Sequence, residues 1–167
     1  MKFIVDCMLG KLAKWLKILG FDATFYSKIE DSELLDLAQK EKRTLLTRDT
    51  GLIEKAKRID TLFIESEDWN VQVEQVLNAF DLWKHVEPYS RCIECNAVLK
   101  DLPKSRARNL VTPFVYEQAD SFALCPGCGR IFWKGTHHKD MEFKIEEILR
   151  KKKRRTSPLR DRKDKKK

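Results

Sequence analysis

KFIVDCMLGKLAKWLKILG, residues 2–20, changes its periodicity halfway along. KFIVDCM (2–8) reads as the first strand, its apolar run Phe3, Ile4 and Val5 marking it as buried. From Gly10 to Leu19 the pattern is helical instead, with Leu12, Trp15, Leu16 and Leu19 at i, i+3, i+4 and i+7 and lysines 11, 14 and 17 on the remaining surface. Gly20 stands where a helix C-terminal cap wants left-handed backbone. A buried strand feeding an amphipathic helix is the opening half of a β-α unit, and it predicts a parallel sheet.

The alternation continues outward from this stretch. DATFYS (22–27), RTLLTRD (43–49) and DTLFIES (60–66) read as strands, and SELLDLAQKEK (32–42), GLIEKAKR (51–58) and Val71–Trp83 as helices. Short connections join them, so residues 1–86 are expected to form an α/β domain, a parallel sheet flanked by helices. After Pro88 the pattern changes. Within residues 87–149, the stretch Arg91–Trp133 carries two cysteine pairs and three of the five prolines, which predicts small β elements held by metal, closed by a helix over Asp140–Leu149.

Residues 150–167 hold 12 Lys+Arg against 2 Asp+Glu, whereas the rest of the chain, by subtraction from 34 and 26, has 22 against 24. Basicity therefore belongs to the tail, which lacks periodicity and is expected to be disordered by itself and to bind polyanions without reading sequence. The N-terminal MKFIVDCMLGKLAKW has an acid and lysines where a signal peptide is apolar, and no apolar run approaches membrane-spanning length. A cytoplasmic protein without membrane attachment is the expectation.

CIEC at 92–95 and CPGC at 125–128 give C-x2-C-x29-C-x2-C. Four thiolates suit the tetrahedral, soft-ligand preference of zinc and close the coordination sphere, so Cys92, Cys95, Cys125 and Cys128 are expected to bind a structural zinc. The long gap leaves room for an inserted hairpin over LVTPFVYEQADSFALC (110–125). A redox role for CPGC is the weaker reading, since no βαβ setting precedes it and a second pair is available. Cys7, in an apolar run, is expected to be a buried small hydrophobe.

Asp6 ends the first strand, Asp31 lies between the second strand and its helix, and Asp49 ends the third strand. Strand C-terminal ends share one edge of a parallel sheet, so these acids are expected to converge. Carboxylates that close repel unless a divalent cation lies between them, and hard oxygen ligands suit magnesium or manganese. The chemistry implied is phosphodiester hydrolysis by metal-activated water. Helix capping is the ordinary alternative for Asp31 and Asp49. Glu30 and Glu33 flank Asp31, leaving open which acid faces the site, and Glu65, Glu67 or Asp68 is a candidate fourth acid.

FIVDCMLGKLAKWLKILGFDATFY, EDSELLDLAQKEKRTLLTRDTGL, the first C-x-x-C pair, PFVYE and CPGCGRIFWKGTHHKDM together resemble the Mut-seven C-terminal RNase domain family over residues 1 to about 149. That resemblance implies a PIN-like nuclease sheet followed by a zinc ribbon, and metal-dependent ribonuclease activity. It matches Asp6, Asp31 or Glu33, and Asp49 to the catalytic acids, and the four cysteines to the ribbon ligands. RNA is then the expected partner, ribosomal or transfer RNA among the candidates. Lys11, Lys14 and Arg48, near the acids, are candidate phosphate contacts, and Trp133 and His137 candidate base contacts. The alternative is a non-catalytic RNA-binding or ribosome-associated zinc-ribbon protein whose acidic cluster is degenerate.

Overall fold

In the computed structural model, which describes residues 1–135 and 138–156, the apolar runs form a four-stranded parallel sheet in the order β2-β1-β3-β4. Its strands are β1 (Lys2–Val5), β2 (Asp22–Phe25), β3 (Thr44–Thr47) and β4 (Thr61–Phe63). Between them run α1 (Gly10–Ile18), α2 (Asp31–Glu41) and α3 (Thr50–Lys55), and α4 (Trp69–Ala79) follows β4. Alternate residues of a strand serve opposite faces. Phe3 and Val5 pack with α1 and α4, while Ile4 packs with Leu34 and Ala38 of α2 and Leu52 of α3. The sheet is thus covered on both sides, as its unbroken hydrophobic strands require.

Gly20 ends α1 as expected: its φ is +95°, its N–H donates to Lys17 O, and Phe21 N–H donates to Leu16 O. This is a Schellman cap. Helix α4 begins two residues before the expected Val71 because the Asp68 side chain caps it, accepting from Asn70 N–H at 2.8 Å. It stops at Ala79 because Asp81 turns the chain in the left-handed region, and Leu82–His85 form a separate 3-10 turn.

The second unit is a three-stranded antiparallel sheet of β5 (Lys100–Leu102), β6 (Phe122–Leu124) and β7 (Ile131–Trp133). No hairpin fills the gap between the cysteine pairs. Two short helices, α5 (Lys104–Ala107) and α6 (Pro113–Gln118), stand there instead. Thr112 caps α6 and Pro113 occupies its first turn, where a missing N–H costs nothing. Leu102, Ala107, Ala119 and Phe122 give this unit a small core of its own.

Helix α7 (His138–Thr156) runs past Leu149 into the segment expected to be structureless. Arg150, Lys151 and their neighbours are good helix formers, and no Gly or Pro interrupts them before Pro158. The remainder of the expected tail lies outside the described residues. Ile145 and Ile148 bury α7 against the α1/α4 side of the first sheet, and Lys151 pairs with Glu74 of α4 at 3.1 Å. Among the described residues, no helix is long and apolar enough to cross a membrane.

The two units meet along α1 and β2. Tyr89 N–H donates to Ile18 O, and Glu87 N–H to Leu19 O. Asn96, left-handed just after Cys95, accepts from Ala23 N–H through Oδ1 at 3.1 Å and donates through Nδ2 to Asp22 at 2.8 Å. Lys17, expected at the surface, is only 6% exposed, because the first cysteine loop covers it; its ammonium donates to Glu94 O at 3.3 Å. Burial lowers its pKa, against the pull of Glu94 and the neighbouring thiols.

Candidate functional site

The β1–β3 register pairs Val5 with Leu46, so the next residues, Asp6 and Thr47, are also neighbours. Asp6 N–H donates to Leu46 O, which carries the pairing one residue beyond the strand. Asp6 is 6% exposed, and its Oδ2 accepts from the buried Thr47 hydroxyl at 2.7 Å. The same hydroxyl oxygen accepts from Asp49 N–H at 2.9 Å. Thr47 therefore ties together the two acids that follow β1 and β3. Strand order reverses between β1 and β3, the place where ligand crevices open in parallel sheets.

Asp49 also caps α3, its Oδ1 accepting from Gly51 N–H at 2.7 Å and Leu52 N–H at 3.2 Å. The capping alternative is thus realised at Asp49, through Oδ1. Asp31 is not a cap; it occupies the first turn of α2, and Glu30 precedes it without a side-chain cap bond. Its carboxylate accepts from Lys55 Nζ, at the end of α3, at 2.8 Å. Hydrogen bonding to Asp31 raises the Lys55 pKa, with the charge of Asp49 adding to it. Lys55 is therefore the cation paired with Asp31, within reach of the charge of Asp49, and its only trace in the sequence is its place in the last turn of a short helix. Glu33, two positions after Asp31 and exposed, does not share its face of α2.

Two of the candidate fourth acids have other work: Asp68 caps α4 and Glu67 pairs with Arg48 at 3.1 Å, whereas Glu65 is held only through its backbone N–H, which donates to Gln75 Oε1 at 3.2 Å. Among the basic candidates, Lys11 lies 5.1 Å from the centre of the Trp69 ring, whose stacking partner is Trp15 at 4.5 Å, and Lys14 is exposed. Trp133 is 44% exposed and His137 lies outside the described residues. Cys7 is exposed, not buried, because it sits in a 3-10 turn beyond β1; a hydrogen bond to Asp6 raises its pKa.

The four cysteines meet as expected. Their sulfurs all lie within 4.8 Å of one another, and among the described residues they are the group of three or more potential ligands that closes this tightly. The carboxylates of Asp6, Asp31 and Asp49 do not form such a group. Cys92 and Cys128 sulfurs are 3.7 Å apart and those of Cys95 and Cys125 3.3 Å. A tetrahedron with metal–sulfur bonds of about 2.3 Å has edges of about 3.8 Å, so the set fits an ion such as zinc. The loops are built alike: Cys95 N–H points to Cys92 Sγ and Cys128 N–H to Cys125 Sγ. Burial pushes the Cys92 thiol up to about 12, while hydrogen bonding from the Arg130 backbone brings Cys128 down to about 6.

A family model described as the Mut7-C RNAse domain matches residues 1–145. No curated protein and no solved structure matches the chain.

Proposed function

Because the chain belongs to the Mut7-C RNase domain family, a nuclease-type domain with RNA as its substrate class, we propose that it is a metal-dependent ribonuclease whose chemistry takes place at the C-terminal edge of the parallel sheet. The observation that carries this reading is the Thr47 hydroxyl, which joins Asp6 to the Asp49 backbone and fixes two carboxylates at the ends of neighbouring strands. Both offer hard oxygen donors of the kind magnesium and manganese select. Such an ion, when bound, supplies an activated water and stabilises the leaving oxygen.

The protein's own groups do the rest. Asp6, buried against Thr47, holds its orientation, and Asp49 is fixed by its cap bonds through Oδ1. Asp31 extends the acidic edge and is held by Lys55; Glu33, on another face of α2, is the alternative acid of that turn. Lys11, Lys14 and Arg48 supply positive charge beside this edge for phosphates. Cys92, Cys95, Cys125 and Cys128 bind one zinc, which cross-links the ribbon. The cytoplasm is the setting in which these thiols stay reduced.

The test is cleavage of labelled RNA by the purified chain with manganese or magnesium, beside Asp6→Asn and Asp49→Asn. Asparagine can keep the cap at position 49 and can still accept from the Thr47 hydroxyl at position 6, so the fold is expected to be kept. Each variant is expected to lose more than about a hundredfold of activity, beyond the 10–100-fold cost of losing a mere supporting partner. Cleavage that survives both substitutions overturns the reading. The Lys55–Asp31 pair favours a rival, a non-catalytic RNA-binding protein, and RNA binding without cleavage under any divalent metal would select it.

A further inference from the structure

Where the ribbon faces the C-terminal end of α1, the surface opens into a groove of about 560 Å³. Its floor is apolar, with Ile18 from α1, Ile93 from the first cysteine loop and Met141 from α7. Phe114 and Trp133 stand in its walls, 73% and 44% exposed, and neither belongs to a buried cluster of the protein. Large aromatic side chains left in water beside an apolar floor mark a binding surface. Packing of the ribbon does not account for them, because its core is complete without them.

The polar groups narrow the occupant. Arg91 and Lys134 contribute cations to the groove, and Asp101 and Gln118 contribute hydrogen-bonding groups. The Arg91 guanidinium is held in place by Gly20 O and Asn96 O, at 3.2 and 2.8 Å. Both cations are set in place by protein partners, Arg91 lying 3.8 Å from Asp22 and Lys134 4.0 Å from Glu142, but a hydrocarbon ligand would cover Asp101 and Gln118 without offering them a hydrogen bond, at a cost in desolvation. A planar group with two apolar faces, a hydrogen-bonding edge and an anionic tether meets all of them.

We propose that this groove binds an unpaired nucleobase of a single-stranded RNA, stacked against Trp133 and Phe114 with its neighbouring phosphates on Arg91 and Lys134. The inference rests on RNA being the substrate, and it names the form of RNA: a base inside a duplex cannot offer its faces to aromatic side chains. Ile18 and Gly10 terminate opposite ends of α1, nine residues long, which is about 13 Å. The anchored base and the phosphodiester at the carboxylate edge therefore belong to nucleotides some way apart along the strand. The groove selects and holds; it does not cut.

The experiment measures fluorescence anisotropy of a labelled single-stranded oligoribonucleotide with the full-length, zinc-loaded chain carrying Asp6→Asn, without added magnesium or manganese. The same sequence annealed to its complement is the control. Phe114→Ala and Trp133→Ala are each expected to weaken single-strand binding roughly 5- to 150-fold, the range for losing one base–aromatic stack, and to leave duplex binding unchanged. Trp133→Phe is expected to keep most of the affinity, which separates stacking from a folding defect. Unchanged single-strand affinity in both alanine variants overturns the groove, as does an equal fall for duplex, and either would return this surface to an apolar protein partner. Groove-dependent binding by a parent chain that cuts no RNA would refute the ribonuclease and keep the groove; the reverse pattern would do the opposite.

Discussion

Thr47 shows how much of the site hangs on one hydroxyl. It is buried, donates to Asp6 and accepts from Asp49 N–H, so Thr47→Val removes both bonds while preserving shape. Stability is expected to fall by about 1–3 kcal/mol, the cost of leaving buried polar groups without a partner. On the proposed ribonuclease reading, in which Asp6 and Asp49 hold the metal, activity is expected to fall about 10–100-fold, and thermal unfolding beside a cleavage assay checks both. Asp22 carries a pH dependence. Burial works against its charge, but hydrogen bonds from Arg43 and Asn96 outweigh that and hold its pKa below the usual carboxylate range. A depressed folded-state pKa stabilises above the unfolded value of about 3.9, and that contribution is lost as pH falls through the folded value. Melting temperature is therefore expected to drop less between about pH 5 and pH 3 in Asp22→Asn than in the parent. The placement of Asp6 and Asp49 at neighbouring strand ends was legible in the sequence because the C-terminal ends of parallel strands share one edge. Thr47 and Lys55 were not, because a threonine in a strand and a lysine at a helix end are the commonest of choices and only register gives them a role.

Two of the helices that end on left-handed residues make opposite predictions. Gly20, after α1, has φ +95°, and a Cβ there would come 2.4 Å from Glu87 O. Gly20→Ala meets both backbone strain of about 1–3 kcal/mol and a clash with main chain that cannot swing away. The melting temperature is expected to fall by more than the strain alone accounts for. Lys42, after α2, adopts φ 53° with an exposed side chain and needs no contact. Lys42→Gly is expected to stabilise by about 1 kcal/mol, read in the same denaturation experiment. Glycine at position 20 announced its cap in the sequence; lysine at 42 could not. The strands and α1 to α3 were likewise readable from apolar period. The start of α4 was missed because Asp68 was weighed as a metal ligand and turned out to be its cap. Helix α6 was taken for part of a hairpin although Thr112-Pro113 is a helix-opening pair, since the cysteine spacing drew the reading toward β structure.

At the scale of the molecule, the cysteine loops and the nuclease sheet are one mechanical object. The first loop reaches Lys17 through Glu94 O and reaches β2 through Asn96, so holding the four sulfurs together also holds the end of the sheet. Stripping the metal with a chelator is expected to free that loop. Hydrogen exchange at the Ala23 amide, which donates to Asn96 Oδ1, should then accelerate while amides in β3, at the centre of the sheet, stay protected. Uniform protection after removal would show that the loop stands without its ion. Asn96 has one more effect. A sheet whose outermost strand shows unpaired amides is a template on which another polypeptide can add itself, and this side chain plugs that row on the free side of β2. Loss of the metal would then leave that edge open to self-association, and the four-cysteine site would guard the chain against aggregation as well as tie its loops together.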